Sequence, residues 1–182
     1  LKLDGKGLYQ LKKNKLIFLC IALTLILAAC GSKDGPKQET KDKDDSQGVL
    51  LDDKGNPKET IEVDKDTEKA VKDAIEKNRE SLNEGNVDKY IDTIDHDSKQ
   101  LDVKEEKSVL QDTLKDYKFD KKISNIKFLE KDKDKVVVFY NVDTTAHPKS
   151  GGDDEKKSFN EVVTLVKKDN TYKYSKMAQA AI

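Results

Sequence analysis

Tryptophan is absent from the chain, arginine occurs once, at Arg79, and the two cysteines sit at positions 20 and 30. Everything after Cys30 therefore lacks a thiol. That excludes a disulfide framework, thiol chemistry and a cysteine-type metal site there. A segment without such staples has to fold on its apolar core alone. Neither a glycine-rich phosphate loop nor a nucleophile elbow occurs. The two histidines, His96 and His147, do not have the spacing of a zinc site or a triad; they read as polar residues at element ends. An excess of positive charge is missing too. The first thirty residues carry Lys2, Lys6, Lys12, Lys13 and Lys15 against Asp4, and residues 31–182 hold 30 basic and 35 acidic side chains. A mildly acidic segment cannot neutralise a phosphate backbone, so nucleic acid is not an expected partner.

The residues that are present are unevenly spread. The one apolar run, residues 16–27, is broken only by Thr24. At about a dozen residues it is too short to cross a ~30 Å hydrocarbon core comfortably. Lys12, Lys13 and Lys15 precede it, and the small residues Ala28 and Ala29 come directly after it. This is the order of an export signal, a positive region, an apolar region and a small-residue cleavage site. The segment Leu27-Ala28-Ala29-Cys30-Gly31 resembles the lipobox of bacterial lipoproteins. The resemblance implies that Cys30 receives a diacylglyceryl group and that residues 1–29 are cut away before it. Two acyl chains at about 0.8 kcal/mol per buried methylene would hold the protein at the outer face of the cytoplasmic membrane. The start at Leu1 and the string Leu11-Lys12-Lys13-Asn14-Lys15 suggest that translation begins at position 11, with residues 1–10 an upstream over-reading.

Residues 30–63 are rich in Lys, Asp, Gly, Ser and Gln, with Val49, Leu50 and Leu51 the notable apolar interruption. Such a composition buries too little surface to offset its ordering entropy, so a flexible charged tether is expected. Val49 to Leu51 are either a small docking strand or nothing.

From Asp64 the pattern becomes periodic. Ala70, Val71, Ala74, Ile75, Asn78 and Leu82 share a helical face, and Gly85 is placed to end the helix. Asn86 suits the cap of a short second helix with Val87, Tyr90, Ile91 and Ile94 on its apolar side. A third helix is expected over residues 104–116. The period then falls to two, and strands are expected over 119–129, 135–147, 157–168 and 171–178. Ser124-Asn125 marks a bulge, Asp132-Lys133-Asp134 and Asp169-Asn170 tight hairpins, and Ser150-Gly151-Gly152-Asp153 a longer loop. Three helices before a four-stranded meander predict an α+β domain over residues 64–182, with the helices packed on one face of a curved antiparallel sheet.

This order, with the junction Leu82-Asn83-Glu84-Gly85-Asn86-Val87-Asp88-Lys89-Tyr90, is similar to the nuclear transport factor 2-like superfamily, the cystatin-like α+β roll. The resemblance implies a cone whose interior binds a ligand or carries out isomerase, dehydratase or cyclase chemistry, and a sheet face through which two copies pair. The chain departs from common members in having no tryptophan in its last strand. Another helix-on-sheet domain of the same class is the competing fold.

Cavity residues expected from this resemblance are Asn78, Tyr90, Tyr117 and Tyr140. None matches a catalytic pattern, and no catalytic residue, metal or cofactor is assigned. Asp92, Asp95, Asp97 and His96 form an acidic cluster without the glycine and terminal glutamate of a calcium loop. Val138, Tyr140, Val163 and Leu165 give an apolar interior. Two readings remain: a non-catalytic module binding a small molecule, a wall component or a protein, or a small cavity enzyme. A buried acid or histidine with a raised pKa beside a donor would mark the enzyme. A transporter's solute-binding lipoprotein is the weaker third, because such proteins need two lobes.

Overall fold

The computed structural model describes residues 50–52 and 55–180. The export signal, Cys30 and most of the tether lie outside the described residues. Four segments form the sheet: β1 (Tyr117–Asp132), β2 (Lys135–Pro148), β3 (Glu155–Lys168) and β4 (Thr171–Ala180), antiparallel and in sequential order. Before them come α1 (Lys65–Asn83), α2 (Val87–Asp92) and α3 (Val103–Asp116). Among the described residues no helix is long and apolar enough to cross a membrane.

Each helix starts where its side chains can satisfy free backbone amides. Asp64 accepts from Thr67 N, Asn86 from Lys89 N, and Asp102 from Lys104 N and Glu105 N. Gly85 sits at φ 68, a left-handed value that lets Asn86 N reach back to Ser81 O at 2.9 Å and turns the chain into α2. The second helix ends at Asp92, short of the expected Ile94. There the backbone exchanges helix bonding for sheet bonding: Asp95 N donates to Tyr174 O and Tyr174 N to Thr93 O, both at 2.8 Å. That exchange fixes Ile94 against β4 and buries it.

Curvature comes from bulges. β1 shifts register between Ser124 and Lys127, with Asn125 at φ 54, and again between Phe128 and Glu130. The β3–β4 pair shifts between Thr164 and Leu165. Extra residues on one strand bend and twist it, so the sheet wraps round α1. Its concave face packs Val136, Val138, Tyr140, Val163, Leu165 and Tyr174 against Val71, Ile75 and Ile91.

The opposite face is also covered. Leu129, Val137, Phe139 and Val162 form a second cluster with Leu50 and Leu51 against it. These two leucines belong to a short hairpin in which Leu51 bridges Pro57 and Lys58 N donates to Leu50 O at 3.0 Å. Asn160 Nδ2 donates to Gly55 O at 3.1 Å, and Ile61 N to Phe128 O at 2.9 Å. Residues 50–52 and 55–61 thus strap across the convex side of the sheet.

Candidate functional site: a mixed-polarity cavity in the cone

Between the concave sheet and the helices, the wide end of the cone holds a cavity of about 110 Å³. Leu82 of α1, Tyr90 of α2, and Glu106, Val109, Leu110 and Thr113 of α3 form its roof and rim. Phe119 and Lys121 of β1, Thr144 of β2, Phe159 and Glu161 of β3, and Met177 and Gln179 of β4 form its floor. Strand register makes that floor a band. Lys121 is paired with Thr144 across β1 and β2, and Glu161 with Gln179 across β3 and β4.

Lys121 Nζ lies 3.2 Å from Glu161 Oε2, and their side chains are only 10% and 9% exposed. Removing two charges from water costs several kcal/mol per ion, so each depends on the other. The ammonium also stands 5.9 Å from the centre of the Tyr140 ring. Below the pair, the Tyr140 and Tyr174 hydroxyls are 3.4 Å apart. Burial pushes the Tyr140 phenol well above the usual range, reinforced by the Glu161 charge. Burial likewise raises Tyr174 and Tyr90, with Glu106 and then Glu161 adding to the shift at Tyr90. These phenols stay neutral, and either hydroxyl of the Tyr140–Tyr174 contact can donate to the other.

Glu106 differs from the other acids. It is half-buried at the rim, and burial raises its pKa, with Glu105 adding like-charge repulsion. Among the described residues no ion pair reaches it. Its neighbour Lys107 is bonded to Asp88 at 2.8 Å instead.

The expected site residues scatter round this cavity. Tyr90 lines it. Tyr140 lies under the floor, fully buried. Asn78 sits behind Tyr90, donating to Thr93 Oγ1 at 2.8 Å. Tyr117 is elsewhere, in a small cluster with Phe119, Ala146, Leu82 and Leu114 beyond the wall. Val138, Tyr140, Val163 and Leu165 form the core beneath rather than the cavity lining. The polar lining of Lys121, Glu161 and Glu106 was not expected, though alternation carries it. Lys121 comes two residues after Phe119, and Glu161 stands between Phe159 and Val163, so opposite charges fall on the inward face of two strands.

The acidic cluster near α2 is held by lysines. Asp92 meets Lys77 at 2.6 Å and Lys173 at 3.3 Å, and Lys168 bridges Asp95 at 3.2 Å and Asp97 at 2.8 Å. His96 is exposed, and His147 Nδ1 contacts Asp154 Oδ1 at 2.7 Å. A second hollow, of about 320 Å³, lies on the convex face beside Leu50, Val137 and Val162, among the ends of Glu130, Lys135 and Lys176.

Chemically, the cavity offers a neutralised charge pair, neutral phenols nearby, an apolar roof and one carboxyl at the entrance. Residues 73–181 match the family of the C-terminal domain of the anti-sigma-I factor RsgI9. No curated protein matches the sequence. Among solved structures, a putative scytalone dehydratase from Novosphingobium aromaticivorans superposes with a TM-score of 0.58 at 14% identity, covering 64% of this chain and 84% of that one. A protein of unknown function with a cystatin-like fold from Nostoc punctiforme gives 0.53 at 12%, over 65% and 93% of the two chains. A hexachlorocyclohexane dehydrochlorinase, LinA-type3, from Novosphingobium barchaimii gives 0.54 at 11%, over 63% and 85%. At these identities the likeness establishes the cystatin-like α+β roll and carries no reaction with it.

Proposed function

Because the chain belongs to the RsgI9 C-terminal-domain family, we infer that it is a recognition module that takes a small ligand into the cone. We infer further that it is displayed at the outer face of the cytoplasmic membrane by lipid on Cys30. The namesake of the family is named as a regulator, an anti-sigma-I factor, and not for a reaction. The observation that carries the reading is the Lys121–Glu161 pair. A general base or nucleophile needs a free, poised group, whereas here the buried lysine and the buried glutamate satisfy each other. The cavity is small beside the 300–1,000 Å³ of typical drug-sized sites, which suits a compact ligand or the tip of a larger one.

One observation favours a second reading. Glu106 is an acid with a raised pKa, on the same cavity as Tyr90. That combination is what an acid–base enzyme of this fold would require. The other acid on the cavity, Glu161, is paired with Lys121, so among the described residues an enzyme at this cavity would rest on Glu106.

The test is a native mass spectrum of the chain from Gly31 onward after incubation with an envelope extract of its host. A reproducible adduct that is released unchanged supports recognition. An altered released compound supports the enzyme reading. The anchor is tested separately: Cys30→Ala should leave an unprocessed, unlipidated precursor, and normal cleavage with detergent partitioning in that variant would contradict it.

A further inference from the structure

This inference rests on the recognition reading and names the ligand class of the same cavity. We propose that the cone takes a small organic monocation, an ammonium group on a compact apolar body, with the Glu106 carboxylate as its counter-ion. Three observations converge on it.

The first is charge. Lys121 and Glu161 cancel at 3.2 Å, so the net charge presented by the cavity is that of Glu106. An anion would meet Glu106 and would have to draw Lys121 away from Glu161. A neutral ligand would cover Glu106 and leave a desolvated carboxylate without a partner, which is costly. A cation removes that cost.

The second is the state of Glu106 in a lysine-rich protein. Along α1 and α2, Glu68, Asp73, Glu76, Glu84, Asp88 and Asp92 all hold a lysine or arginine within 2.9 Å. Among the described residues Glu106 holds none, although Lys107 adjoins it, and unlike Asp66, Glu105 and Asp116, which are also outside any ion pair but exposed, it is half-buried. It lies on the inward stripe of α3, three residues after Val103 and four before Leu110. A charge on that stripe faces the cavity mouth and is half screened from water.

The third is shape. About 110 Å³ is somewhat less than the roughly 150 Å³ engineered cavity that holds benzene, so one small ring or a short branched chain fills it. Tyr90, Phe119 and Phe159 supply aromatic surface to that body and to the cation beside it.

The pairing makes binding pH-dependent. The titratable groups that share the cavity with Glu106 are Tyr90 from α2, Lys121 from β1 and Glu161 from β3, and Glu105 stands beside it on its own helix. Burial and Glu105 hold the Glu106 proton above the usual glutamate range. The protonated form cannot pair with an ammonium group. Affinity for the cation therefore rises with pH through Glu106 ionisation and then levels off.

The experiment uses the full chain in lipid nanodiscs, with empty nanodiscs as the blank. It is titrated calorimetrically with three probes of one shape: benzylamine, benzyl alcohol and benzoate. Benzylamine is expected to bind about tenfold more tightly than either of the others. Glu106→Gln should abolish that preference and its pH dependence, and Glu106→Asp should restore part of both. Benzoate or benzyl alcohol binding as tightly as benzylamine would overturn the proposal, as would a benzylamine affinity indifferent to Glu106→Gln. Binding of none of the three would also overturn it. The recognition reading would then stand or fall separately, on the envelope adduct.

Discussion

Lys121 and Glu161 reach each other across the floor of the cone from strands that are not neighbours: β1 supplies the ammonium, β3 the carboxylate, and β2 runs between them. Their 3.2 Å contact spans a strand whose own inward residues there, Tyr140 and Val142, are fully buried. A pair so placed ties the two halves of the sheet together and sets the polarity of the cavity.

Breaking it from one side should be expensive. Lys121→Met leaves Glu161 buried without its counter-charge, and a loss of about 3 kcal/mol in unfolding free energy is expected. The double variant Lys121→Met with Glu161→Leu should recover most of that loss. Chemical denaturation of the two single variants and the double closes the cycle. Additive losses would show that the pair does not act as a unit.

Glu106 should cost stability where it is ionised. Its folded-state pKa is raised, so its contribution is intact below the usual glutamate range. That contribution is lost as pH climbs through the folded-state ionisation. Glu106→Gln keeps the neutral form at every pH. It should melt higher than the natural chain at about pH 7.5 and no higher at about pH 4. Scanning calorimetry at the two pH values reads the difference, and equal gains at both would argue against a desolvated carboxylate.

The alkaline limit has the opposite chemistry and the same sign. Burial raises the phenols of Tyr90, Tyr140 and Tyr174 in the folded protein. Stability is therefore full below the ordinary phenol range of about 10 and falls above it, as the unfolded chain releases protons that the fold retains. Phenolate absorbance should show these three tyrosines ionising only together with unfolding.

Gly85 offers a backbone test. A Cβ there would meet only Leu114 Cδ2 at 3.8 Å, an ordinary contact, but φ 68 is unfavourable for alanine. Gly85→Ala should cost about 1 kcal/mol through conformation alone, visible as a modest shift in denaturation midpoint with the fold intact.

How far the residues themselves forecast this structure depends on how local each feature is. Gly85, Asn86 and the Ser124-Asn125 bulge were legible because a positive φ, a cap and a broken alternation each leave a mark within a few residues. The end of α2 was not, because hydrogen bonds to Tyr174, far along the chain, decide it. The same division runs through the site. Tyr90 could be placed from its junction, and Tyr117 could not, since it packs on Phe119 and Ala146, two residues along β1 from the lining. Lys121 lies in the charged run Asp120-Lys121-Lys122, where nothing local marks it as buried. Only pairing β1 and β3 with β2 reveals that its partner is Glu161. Leu50 and Leu51 read as an ambiguous apolar spot in a charged stretch, and the convex cluster they join exists only once the sheet is formed.

The central claim is that recognition takes place inside the cone, and amide chemical-shift mapping tests it most directly. The isotope-labelled chain from Gly31 onward would be titrated with the envelope fraction that yields an adduct. Recognition in the cone predicts perturbations concentrated at Tyr90, Glu106, Thr113, Lys121, Thr144 and Phe159. Shifts confined to the convex face, at Leu50, Val137 and Val162, with those cavity amides unmoved, would contradict it.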